Sequence, residues 1–217
     1  MNRLWKRSLD LIAAGIILLL SSPFLFLCAL AIKITSRGPI FFRQERIGKN
    51  LRRFRIVKFR TMAWNAPDLR NADGSTFNAE HDPRVTRIGR ILRKTSFDEL
   101  PQLWNVLWGE MSLVGPRPEL PDGVTAYLPG QFRRLDVLPG MTGWAVVHGR
   151  NNVPVSQRRD LDAWYAEHAS FWLDLKILAK TVALVVRSKG INHSTNSPSA
   201  DISAGCAVEA QQCSTER

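Results

Sequence analysis

From Leu11 to Ile32 the chain carries 22 consecutive residues without a charge. As a helix rising about 1.5 Å per residue, such a run reaches across a hydrocarbon core of roughly 30 Å. It is too long for the apolar core of a signal peptide, and no small-x-small cleavage site follows before Lys33. Two placements remain. A spanning helix satisfies the length. The flanks ask for something else: Lys6 and Arg7 precede the run, Lys33 and Arg37 follow it, and the positive-inside rule puts both ends on the cytoplasmic side. Ser21-Ser22-Pro23 lies at its centre. There the proline frees a backbone carbonyl that a serine hydroxyl can bond. A helix that dips into one leaflet, breaks at Ser22 and Pro23 and returns meets both conditions.

The remainder is a basic, folded domain. Net charge is +11 and the pI about 10.3, which calls for an anionic partner: nucleic acid, anionic lipid or a phosphorylated substrate. Hydrophobic content of 45% with 23% charged residues excludes global disorder. Cys28, Cys206 and Cys213 lack metal-site spacing and read as free thiols in a reducing compartment.

Between Arg37 and Arg60 there are nine Lys or Arg residues and one acid, Glu45. Phe54, Ile56, Val57 and Phe59 interleave with Arg53, Arg55, Lys58 and Arg60, the pattern of a strand with a basic face or edge. Most of these cations suit solvent beside anionic headgroups; Lys58 and Arg60 are the candidates for phosphate contact. Asp68 to Pro83 is polar and reads as a loop over the site. Val85, Ile88, Ile91 and Leu92 mark an amphipathic helix whose basic face carries Arg84, Arg87, Arg90, Arg93 and Lys94.

Ser96 and Glu99 have capping-box spacing, which predicts a helix start there. Leu100, Leu103, Trp104, Leu107 and Trp108 then recur at helical spacing as one apolar stripe. Asp98 and Glu99 fall in its first turn, where backbone N–H groups and the helix dipole favour ionised carboxylates. A first-turn Asp-Glu pair alone is ordinary capping. Coupled with Arg117, held between Pro116 and Pro118, and with the basic strand upstream, it suits metal or covalent chemistry on a phosphate. Further on, Pro121-Asp122 and Pro129-Gly130 bracket a short helix. Val146-Val147 reads as a strand end, Gly149 to Asn152 as a polar loop, and Leu161, Trp164 and Tyr165 as the start of a helix. Phe171 to Arg187 forms an apolar helix that suits either the membrane interface or the core. The polar stretch from Asn192 onward reads as a disordered tail.

These segments together resemble the small monotopic phosphoglycosyl transferases of bacteria, also called bacterial sugar transferases or undecaprenyl-phosphate sugar phosphotransferases. The likeness rests on Lys6-Arg7 with Asp10, the Ser22-Pro23 break, the stretch from Thr35 to Phe42, Gln44 to Gly48 and Lys58 to Met62. It continues through Asp98 to Val106, Met111 to Pro118, Pro139 to Trp144 and Gly149 to Asn151, in one order over roughly residues 3–191.

The resemblance implies transfer of a sugar 1-phosphate from a UDP-sugar to polyprenyl phosphate at the cytoplasmic face of the bacterial inner membrane, with Mg²⁺ and a covalent intermediate. UMP leaves, and other glycan-assembly enzymes are potential partners. On that carry-over Asp98 is the nucleophile, Glu99 helps hold the metal, Arg117 grips phosphate, and Lys58 and Arg60 bind phosphate or phospholipid. Asp162 is a candidate second acid supporting the metal. Val146 and His148 depart from the family pattern, which has an amide pair there. The catalytic unit begins almost at Met1, so the extra multi-spanning domain of larger members is not expected.

The expected fold is mixed α+β and mostly helical, with a re-entrant membrane helix over residues 1–36 and a catalytic domain over 37–191. A small β-hairpin or sheet and interfacial amphipathic helices surround the site, and residues 192–217 form the tail. A rival reading is a non-enzymatic, membrane-anchored basic module binding anionic lipid or nucleic acid. The leading reading assigns no nucleic-acid partner.

Overall fold

A computed structural model describes residues 3–69, 77, 82–149 and 153–186. Helix α1 (Arg3–Thr35) contains the whole uncharged run and is assigned without interruption through Pro23. The ring of Pro23 removes the donor that would serve the Leu19 carbonyl. Ser22 replaces it, its Oγ donating to Leu19 O at 2.8 Å, while Ser21 Oγ donates to Ile17 O at 2.6 Å. Among the described residues this is the one helix long and apolar enough to cross a membrane.

Both ends of α1 are tied to the folded domain. Near its start Lys6 pairs with the buried Asp174 at 2.6 Å, Arg7 donates to the Val106 and Leu107 carbonyls at 2.6 and 2.9 Å, and buried Asp10 accepts from Leu113 N at 3.1 Å. Midway, Phe24 meets Phe97 edge-on with centroids 4.6 Å apart. At the far end Cys28 and Ile32 pack with Phe59 and Leu92. Between these attachments Leu19, Leu20, Phe26 and Leu27 are exposed.

Strands β1 (Phe41–Ile47) and β2 (Arg53–Phe59) form the expected antiparallel hairpin, Phe41 opposite Phe59 and Ile47 opposite Arg53. Its turn puts Asn50 and Leu51 at φ 53 and 61. Along β2, Phe54, Ile56, Val57 and Phe59 are buried while Arg53 and Arg55 remain exposed. Helix α2 (Arg87–Thr95) is capped by Thr86, which accepts from Gly89 N. Arg84 does not join its basic face: it is buried against Asp82, with Nη2 2.6 Å from the carboxylate.

The predicted capping box does not form. Ser96 is left-handed (φ 59, ψ 17), closes α2, and makes no side-chain cap. A left-handed residue aims its Oγ away from the next turn's amides, and the chain continues as a 3-10 segment, Phe97–Gln102, before α3 (Leu103–Trp108). The apolar stripe divides as well. Leu103 is buried in the core, while Trp104 and Trp108 face outward. Asn105 takes the inward position beside Leu103 and fastens α3 to β2: its Oδ1 accepts from Val57 N at 3.0 Å and its Nδ2 donates to Arg55 O at 2.8 Å.

Strands β3 (Ser112–Val114) and β4 (Gly140–Thr142) pair in parallel. Gly115 and Gly140 lie backbone on backbone; a Cβ on Gly140 would come within 2.1 Å of Gly115 N. That contact seats the loop carrying Arg117. Val146 and Val147 are not a strand end but the close of a one-turn helix, α4 (Trp144–Val147). The prolines at 121 and 129 each open a 3-10 segment, Pro121–Ala126 and Pro129–Asp136, rather than bracketing one helix.

Helix α5 (Val155–His168) presents Asp162 and Tyr165 inward. Helix α6 (Phe171–Val186) buries Asp174 and Ile177 and exposes Trp172, Leu175 and Val182. It therefore has a core face and an apolar outer face. Residues 70–76, 78–81, 150–152 and the tail from Asn192 lie outside the described residues, so the loop expectations and the tail expectation fall there wholly or in part.

Candidate active site

The left-handed turn at Ser96 places Asp98 and Glu99 side by side at the start of the 3-10 segment. Glu99 is the hub. Its Oε1 receives Lys58 Nζ from β2 at 2.8 Å and Arg117 Nη2 at 2.6 Å, and its Oε2 faces Arg117 Nη1 at 3.4 Å. Lys58 is mostly buried; Arg117 remains 46% exposed in its side chain and so accessible to a ligand. Burial works against a charge on Glu99, but Arg117 and Lys58 outweigh it and hold the carboxyl well below the usual range. Burial lowers the Lys58 ammonium against the pull of Glu99. Arg117 is raised, first by Glu99.

Asp98 differs from its neighbour. Among the described residues its carboxylate makes no hydrogen bond or ion pair. Burial first, then the Glu99 charge, push it up to about 6, while Lys58, Arg93 and Arg117 pull the other way. The expected stabilisation by a helix start is thus overridden, since a six-residue 3-10 segment offers little dipole and desolvation dominates. A carboxylate with free oxygens, still ionised at neutral pH and surrounded by cations, can attack an electrophilic phosphorus.

The other candidates are placed elsewhere. Arg60 is buried and turned to the end of α1, donating to the Ser36 carbonyl at 3.1 Å, to Ser36 Oγ at 2.8 Å and to the Arg37 carbonyl. Asp162 is buried and pairs with Arg134 at 2.7 Å. Arg134 in turn donates to the Arg117 carbonyl at 2.8 Å and to Tyr127 Oη, and lies 2.9 Å from Glu119, which Arg159 also meets at 3.0 Å. This network holds the Arg117 carbonyl and the Glu119 carboxylate, one on each side of Pro118, and sequence reading missed it. Arg133-Arg134 and Arg158-Arg159 look like surface charge until the fold turns one member of each pair inward. Arg93 of α2 was placed only on a basic face; it also contributes attraction toward Asp98.

Among the described residues no three His, Cys, Asp or Glu side chains gather as a metal site. Asp98 and Glu99 alone suit Mg²⁺, which takes one or two carboxylates and completes its shell with substrate phosphates and water. Asp162 does not suit it, because it is buried behind Arg134, whereas among the described residues Glu99 Oε2 is met only by Arg117 Nη1 at 3.4 Å.

This assembly of an ion-paired carboxylate, one unpaired among the described residues and an arginine between prolines suits an anionic ligand, on a fold with one helix long and apolar enough to cross a membrane. The family model described as bacterial sugar transferase matches residues 1–188. The chain therefore belongs to the bacterial sugar transferase family. It is 44% identical over 193 residues to the uncharacterized sugar transferase EpsL of Bacillus subtilis, covering 88% of this chain and 93% of that one. It is also 44% identical to the undecaprenyl-phosphate glucose phosphotransferase of Komagataeibacter xylinus and 42% identical to the UDP-glucose:undecaprenyl-phosphate glucose-1-phosphate transferase of Escherichia coli. Those matches cover 87% and 83% of this chain but only 37% and 40% of the longer relatives.

Proposed function

We propose that this chain transfers a sugar 1-phosphate from a UDP-sugar to polyprenyl phosphate, in two displacements at one phosphorus. An Asp98 oxygen attacks the phosphorus bearing the sugar; the bond to the bridging oxygen breaks and UMP departs with the electron pair. An oxygen of polyprenyl phosphate then attacks the same phosphorus and returns Asp98 as a free carboxylate. Neither step needs a proton on the nucleophile. Lys58 and Arg117 supply positive charge beside the departing phosphate, and Glu99 keeps both aimed at it. Mg²⁺, held by Glu99 with the substrate phosphates, would add charge neutralisation there. The observation that carries the reading is the Asp98 carboxylate, unbonded among the described residues, next to the Lys58–Glu99–Arg117 cluster.

In the same reading α1 enters one leaflet and returns, on the cytoplasmic face. Its support is the attachment of both ends of α1 to the same domain, with Pro23 between them. The apolar outer face of α6 suits the interface, and glycan-assembly enzymes that consume the lipid product are the expected neighbours. The rival module reading loses much of its motive, since Lys58 is engaged with Glu99 and Arg60 with α1.

The deciding experiment incubates the protein with Mg²⁺ and a panel of UDP-linked hexoses and N-acetylated sugars. Polyprenyl phosphate is included, and UMP is measured. With donor alone, mass spectrometry should find a sugar-phosphate adduct on Asp98. A wild-type protein that turns over without ever forming that adduct would exclude the covalent route.

A further inference from the structure

Gln102 closes the same 3-10 segment that opens with Asp98 and Glu99. It is 1% exposed, yet among the described residues its side-chain Nε2 has no hydrogen-bond partner. A buried amide N–H left unbonded is costly and uncommon, and it marks a place where a partner arrives from outside the chain. The side chain lines a small pocket together with Arg46, Ile56, Lys58, Arg117 and Pro118. The other polar side chains on that wall are cations, and ammonium and guanidinium groups only donate. None of them can accept from Gln102. A ligand that answers these donors together presents several acceptor oxygens and negative charge, as a phosphate does.

We infer that Gln102 is a further substrate-binding residue, whose amide donates to a phosphate oxygen held between Lys58 and Arg117. The inference rests on the phosphotransfer reading, in which two phosphates visit the site: the diphosphate of the nucleotide sugar and the monophosphate of the polyprenol. Both offer the same acceptor chemistry. The site makes anion binding depend on a donor that weakens the empty protein, so removing the donor has opposite effects on stability and on binding.

The test uses the full chain in detergent or nanodiscs with Gln102→Met, which keeps length and removes the donor. Gln102→Glu serves as a second variant, keeping shape and adding negative charge. Inorganic pyrophosphate and inorganic phosphate serve as probes in thermal unfolding, and KM is measured separately for UDP-sugar and for polyprenyl phosphate. The Met variant should unfold at the same or a higher temperature than wild type without anion. Its pyrophosphate-induced rise in Tm should shrink, and one of the two KM values should rise about tenfold or more, as expected for a hydrogen bond to a charged group. A rise confined to the donor assigns the contact to the diphosphate; one confined to the acceptor assigns it to the lipid phosphate. Gln102→Glu should weaken pyrophosphate at least as much. Unchanged KM values for both substrates in both variants overturn the inference, whatever happens to Tm. Should wild type release no UMP from any donor, the phosphotransfer reading fails, and the pyrophosphate shift alone decides this one: an equal shift in wild type and variants overturns it.

Discussion

Asp98 and Asp162 are both aspartates pushed up to about 6, and in both burial is the first cause. Their surroundings separate them. Asp162 is buried with Arg134 bonded to it, and Arg134 is bonded in turn to the Arg117 backbone and Tyr127. Asp98 has cations near it and, among the described residues, no hydrogen bond. A shifted carboxyl is therefore not by itself a sign of chemistry. On the proposed reading, what distinguishes the reacting group is oxygen left free at a surface a substrate can reach. The paired aspartate does a different job, holding the loop on which Arg117 is mounted.

The sharpest way to break this contrast is Asp98→Asn. UMP release should fall by at least about 10³-fold, as for loss of a nucleophile, while the variant folds. Its stability should exceed that of wild type above pH 6. The Asp98 carboxyl is raised above its unfolded value, so its stabilising contribution is complete below about pH 4 and lost as pH rises through about 6. At most about 3 kcal/mol is at stake, at about 1.4 kcal/mol per unit. Denaturant melts at pH 5 and pH 8 read this directly.

Arg134→Met should do the reverse, leaving a buried carboxylate uncompensated and costing about 3–5 kcal/mol of stability. Activity of the folded fraction should fall less than in Asp98→Asn, through the lost tie to the Arg117 carbonyl, which parallel melts and UMP assays would reveal.

Arg117→Lys retains charge but not the fork that spans both Glu99 oxygens. Its kcat/KM should drop by about 100-fold, in line with removal of one preorganised donor. Turnover by wild type should decline as pH falls through about 6, because protonation disarms Asp98. A flat rate from pH 5 to 8 would remove Asp98 from the rate-determining chemistry. The smallest effect belongs to Arg60→Lys: about 1–2 kcal/mol of stability from lost contacts to the end of α1, and no change in KM for UDP-sugar. A raised KM would restore Arg60 to the phosphate site.

Features carried by long patterns were legible in the residues: the apolar helix, the β1–β2 hairpin, α2 and the Asp98-Glu99 pair beside an Arg117 loop. Short features were not. Strand β4 has three residues, α4 has four, and neither is long enough to show a period. The capping box failed because Ser96 has the right side chain in the wrong backbone region, and spacing does not encode φ. Asn105 was missed for a related reason. It stands within an apolar stripe as a polar interruption, and only the neighbouring strand reveals that its amide completes the edge of β2.

The residues in order determined which chemistry was available: an uncharged helix with serines ready to serve a proline-freed carbonyl, adjacent acids, and more cations than acids to meet phosphate. These depend on composition and local spacing, which a chain carries whether folded or not. Tertiary structure decided the assignments. It directed Lys58 to Glu99 and Arg60 to the end of α1, closed Asp162 behind Arg134, and left Asp98 open. Each of those outcomes depends on which distant segments share a few ångströms, and desolvation and pairing act only at that range.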